Sequence, residues 1–134
     1  MENTLKEKID DSIKNWYWDE NSKPKAFEIG KVCFAFLSFL EERLSPKTIR
    51  IHTENLFWIG IFENQYGLNE AFDIEDLTSA DLNMDYFERK VSDSEYAMKS
   101  YKATCRKLEK FIESETYKPY LAEIERVLKY EVDN

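Results

Sequence analysis

Between Phe27 and Leu40 apolar residues cover nearly the whole circumference of any helix the chain could form. Phe27, Val32, Phe34, Phe36, Leu37, Phe39 and Leu40 leave few positions for water. A helix apolar on most sides belongs at the centre of a bundle. The run from Val32 to Leu40 is broken only by Ser38 and is far shorter than the roughly 18 residues that suggest a membrane span. Leu44-Ser45-Pro46 then stops the pattern. Ser45 is a good N-cap, and Pro46 falls at the first helical position, where a missing amide hydrogen costs nothing. Ile49, His52, Leu56, Ile59 and Phe62 follow at helical spacing. The prediction is a helical hairpin, Lys25 to Arg43 and Pro46 to about Gln65, around which the remaining chain packs.

The rest of the sequence suits that frame. Leu5, Ile9, Ile13 and Trp16 place a first helix from Thr4 to about Trp18. Residues 68–77 read as an acidic loop. Thr78 or Ser79 caps a short helix through Lys90, with Thr78 and Asp81 spaced like a capping-box variant. Ser92 or Ser94 starts a long helix to Ser114, and Pro119 opens the last. Only three glycines and three prolines occur, which disfavours a sheet. The expected fold is all-α: a single domain, residues 1–134, forming a compact bundle of five to six helices.

Charge narrows the partners. The net charge is -8, and residues 62–96 hold ten acids against two bases, an excess equal to the whole net charge. Such a chain repels nucleic acid overall. Met1 to Asp10 mixes acids with bases and lacks an apolar core, so it does not read as a signal peptide. Cys33 and Cys105 lie inside apolar helical patterns and read as buried thiols of a cytoplasmic protein.

Motifs for chemistry are sparse. His52, the one histidine, sits on an apolar helix face and reads as a hydrogen-bonded core residue. Asp81, Asn83 and Asp85 alternate like a calcium loop, but Tyr86 stands where glycine belongs and Ser92 where glutamate belongs. They read as helix-start acids. Asp73, Glu75 and Asp76 carry no sign of a catalytic carboxylate pair. Gly30, Gly60 and Gly67 are too dispersed for a phosphate loop. No cofactor, metal or catalytic residue is expected. Trp16-Tyr17-Trp18 cannot all face inward on one helix, so this triplet is a candidate protein interface, for a partner or a second copy.

One stretch carries resemblances. Leu44-Ser45-Pro46-Lys47-Thr48-Ile49-Arg50-Ile51-His52, with the apolar residues around it, resembles the helical core-binding (SAM-like) domain of tyrosine recombinases over about a quarter of the chain. In that family this junction joins two helices that clamp DNA. The resemblance implies a DNA-binding accessory domain using Ser45, Lys47, Thr48 and Arg50, aided by Lys102, Arg106, Lys107 and Lys110, with the family's catalytic half absent. The same start, together with Asn55-Leu56-Phe57-Trp58-Ile59-Gly60 and Thr104-Cys105-Arg106-Lys107-Leu108-Glu109-Lys110-Phe111, is similar to small all-α bacterial proteins, which implies a fold and no activity. A weaker likeness is to the recognition-helix start of LuxR-type regulators. Phe39 stands where that motif needs a small residue and Glu42 where it needs an apolar one. The expectation is a non-enzymatic cytoplasmic interaction protein, adaptor or regulator; the alternative is the DNA-binding domain.

Overall fold

The computed structural model describes residues 3–67 and 70–133. The expected irregular stretch from Leu68 therefore begins on two residues, 68 and 69, outside the described set. Among the described residues six α-helices run in order: α1 Leu5–Ile13, α2 Lys23–Glu41, α3 Pro46–Tyr66, α4 Met84–Lys90, α5 Glu95–Glu113 and α6 Tyr117–Asp133. Short 3₁₀ segments cover Glu20–Ser22 and Ile74–Asn83. Among the described residues there is no strand. The all-α bundle of six helices has α2 and α3 as its central hairpin. α2 packs against α1, α3 and α6, while α5 covers α3 and the longer 3₁₀ segment.

The helix ends follow local chemistry. Ser45 Oγ accepts from the Thr48 amide at 3.4 Å, and Ser94 Oγ from the Ala97 amide at 3.2 Å. Each hydroxyl answers an amide that the helix itself leaves unpaired. Pro119 sits within the first turn of α6 rather than opening it, because the helix already begins at Tyr117. Before it, Glu115 turns the chain at a φ of 62°.

Two expectations give way. The acidic stretch holds the 3₁₀ segment Ile74–Asn83, and its capping box is Asp73 with Asp76, not Thr78 with Asp81. Thr78 instead donates its hydroxyl to the Glu75 carbonyl at 2.7 Å. Leu77 and Ala80 are buried from this segment, which explains why so acidic a stretch orders at all. The first helix stops at Ile13, and the Trp16 amide bonds the Ile13 carbonyl at 2.8 Å in a tight turn.

That turn carries Trp16 inward. Its ring lies over Gly60 of α3, where any Cβ would overlap the indole. The Trp16 carbonyl accepts from Asn64 Nδ2 at 2.9 Å and from Gln65 Nε2 at 3.3 Å. Gly30 of α2 plays the matching part, since a Cβ there would meet Ile13 Cγ2 at 2.9 Å and Ile9 Cγ2 at 3.0 Å. Two glycines thus form the notches that seat α1 on the hairpin. At the other end of the chain, Glu131 of α6 accepts the Leu5 amide at 2.7 Å and the Lys6 amide at 3.2 Å, so a carboxylate closes the positive end of α1.

Gly60→Ala is expected to lose about 1–3 kcal/mol of stability in urea denaturation, because the indole cannot retreat from a packed core. Glu131→Gln should cost about 1 kcal/mol and speed hydrogen exchange at Leu5 and Lys6.

Candidate functional site

The junction of the hairpin is the start of the site. The Arg43 and Leu44 amides both return to the Leu40 carbonyl, at 2.9 and 2.8 Å, and Ser45 then opens α3. Ser45, Lys47 and Arg50 are exposed, while Thr48 is half-buried with its hydroxyl 3.1 Å from Ser45 Oγ. The cap therefore uses two of the four residues proposed from the sequence, and Lys47 and Arg50 are exposed and make no ion pair among the described residues.

What sits beside that junction is set by a buried polar lock between α3 and α5. His52 Nδ1 lies 2.7 Å from Thr104 Oγ1. Asn55 Nδ2 donates to Thr104 Oγ1 at 2.9 Å and to Ser100 Oγ at 3.1 Å. Thr104 Oγ1 also reaches the Ser100 carbonyl at 3.3 Å. His52 is thus the hydrogen-bonded core residue that its apolar face predicts. Burial, helped by the charge of nearby Lys107, holds its ring below the usual histidine range.

The lock runs α5 antiparallel to α3, so the end of α5 meets the hairpin junction. There a groove of about 240 Å³ opens, floored by Phe39, Leu40, Leu44 and Phe111 and rimmed by Arg43, Lys107 and Lys110. Arg43 lies over the Phe39 ring at 4.0 Å, donates to the Phe39 carbonyl at 2.8 Å and pairs with Glu42 at 3.2 Å. Lys107 and Lys110 meet no carboxylate within ion-pairing distance among the described residues. Arg106 lines a shallower hollow alongside, with Lys110, Glu109 and Glu113, and Lys102 is exposed farther along α5. The groove joins Arg43 to Lys107 and Lys110, which lie 64 and 67 residues farther along the sequence. Arg43 is the member that sequence reasoning missed; its signal was a base two residues before the Ser45 cap.

The aromatic triplet behaves differently. Trp16 leaves the candidate interface, being 3% exposed against Gly60, because the turn after Ile13 points it inward. Tyr17 is half-buried against the core, and Trp18 alone stands out at 79% exposed. The triplet lies by the far end of α3 from Ser45.

Other chemistry is inert or structural. Cys33 and Cys105 are buried free thiols, each pushed up to about 12 by burial, which suppresses the reactive thiolate. Asp85 falls in the first turn of α4 and Asn83 immediately precedes it. Asp73 and Asp76 serve the capping box. Glu63 is buried, and desolvation raises its carboxyl against the opposing pull of Lys25. Among the described residues no three metal-ligating side chains gather, and no helix is long and apolar enough to cross a membrane. Comparison of the chain with known protein families, curated proteins and solved structures finds no match.

The lock makes stability depend on pH with a definite sign. The unfolded histidine takes a proton near 6.5, while the folded ring resists it. The contribution of His52 is therefore complete above that pH and declines as pH falls below it. In denaturant titrations from about pH 7 to pH 5, the native protein should lose stability and His52→Gln should lose less over the same interval.

Proposed function

We propose that this protein is a non-enzymatic, cytoplasmic interaction domain that takes an acidic, apolar segment of a partner protein into the groove between the ends of α2 and α5. The observation that carries this reading is the pairing of an apolar floor with a rim of three cations, two of them without a carboxylate partner among the described residues. A surface lysine normally gains little from one partner. Three cations around desolvated rings are different, since they steer an anionic segment and fix its register while the floor supplies affinity. The volume suits a few side chains rather than a whole cofactor. Two buried thiols suit a reducing compartment.

A second reading has its own observation. Lys47 and Arg50 are exposed near the start of α3, which follows the Leu44 wall of the groove by one capping residue, so a phosphate backbone could follow this edge. That is the DNA-binding reading implied by the resemblance to recombinase core-binding domains. The acidic excess of residues 62–96 weighs against it.

Fluorescence anisotropy separates the two. A labelled amphipathic peptide of Glu, Leu and Phe should bind saturably, and the double variant Arg43→Glu/Lys110→Glu should weaken it about tenfold or more. Random duplex DNA should bind more weakly. Tighter binding of the duplex, rising steeply as salt falls and lost in Lys47→Glu/Arg50→Glu, would overturn the first reading in favour of the second.

A further inference from the structure

On the other flank of the polar lock, α3 and α5 open a second cavity, of about 220 Å³, beside the end of α4. Its walls are aromatic and aliphatic: Trp58 from α3, Phe87 and Val91 from the end of α4, and Tyr96 from the first turn of α5. Phe87 is buried and stacked on Tyr101, which makes a rigid wall, while Tyr96 is 76% exposed and stands at the rim.

Four polar side chains line this cavity, Glu54, Asn55 and the hydroxyls of Ser92 and Ser100, and no base is among them. Asn55 is only 7% exposed and lines the cavity. Its amide nitrogen is spent on Ser100 and Thr104 inside the lock. What Asn55 has left to present is its carbonyl oxygen, an acceptor. The one charged side chain in the lining is the exposed carboxylate of Glu54. The nearest bases of the acidic stretch are turned elsewhere. Lys90 donates to the Tyr66 hydroxyl at 2.7 Å, and Arg89 lies over the Tyr86 ring at 5.4 Å. Lys99, one turn along α5, is paired with Glu95 at 3.0 Å.

Aromatic faces carry negative charge at their centres and attract cations. A carboxylate and a bare carbonyl oxygen beside them repel anions. We infer that this cavity binds a small organic ammonium cation, with its alkyl groups against Trp58 and Tyr96 and its N–H directed to Asn55 Oδ1 and Glu54. The volume admits a lysine-like head or a short alkylammonium and is too small for a nucleotide or a drug-sized ligand. The site is independent of the groove at the hairpin junction and opposite to it in charge preference.

The test is an NMR titration of the full chain with trimethylammonium chloride, against tert-butanol as the neutral molecule of the same shape. Saturable shifts are expected at the Trp58 indole N–H, the Asn55 side-chain amide and Tyr96, with about fivefold preference for the cation over the alcohol. Tyr96→Ala and Glu54→Gln, both at exposed positions, should each weaken binding about threefold or more with the rest of the spectrum unchanged. Arg43→Glu/Lys110→Glu should leave it as it was. Equal shifts with tert-butanol, or full affinity in both Tyr96→Ala and Glu54→Gln, or no saturable shift at these residues, would each overturn the inference.

Discussion

The contact between His52, Thr104 and Asn55 determines where the ends of the bundle fall. Apolar helices slide past one another at little cost, because one leucine substitutes for the next. A buried imidazole and amide do not slide. Moving α5 by a single turn would leave both without partners in the interior, at a cost of about 1–3 kcal/mol for each. The lock therefore brings Lys107 and Lys110 to the hairpin junction and sets Tyr96 opposite Trp58. Both candidate sites are consequences of one register.

A second constraint acts across the hairpin. α1 is short, and its grip comes from shape: Ile9 and Ile13 enter the notch at Gly30, and Trp16 enters the notch at Gly60. Burying large side chains of this kind contributes roughly 1.5–3 kcal/mol each. The glycines cost helix propensity in return. They serve close approach here and not backbone freedom, for both lie inside regular helices.

Much of the fold was legible because it is written locally. Ser45 and Ser94 cap helices through hydrogen bonds spanning three residues, and the apolar run of α2 marks itself as central. The departures all depend on distant partners. Trp16 looked like part of an exposed triplet because nothing near it in sequence shows that Gly60 waits on another helix. The Asp73–Asp76 box was hidden in an acidic stretch whose order comes from Leu77 and Ala80 meeting α5. The cations of the groove could be named one by one, Arg43 excepted, yet only the register of α3 against α5 puts them around the same apolar floor.

The bond from Glu131 to the amides of Leu5 and Lys6 has a kinetic consequence. It joins positions 126 and 125 residues apart, so it closes a loop that encloses α2 to α5. Loop closure on that scale comes late in folding, after local helices and the hairpin have formed. During synthesis from the N-terminus, α1 emerges before the other helices described and is secured last. Until α6 is made, Ile9, Ile13 and Trp16 have their notches on α2 and α3 but no carboxylate to hold the start of the helix. Of the six helices described, α1 is therefore the first made and the last to acquire its full stability, because the carboxylate that closes it lies on α6.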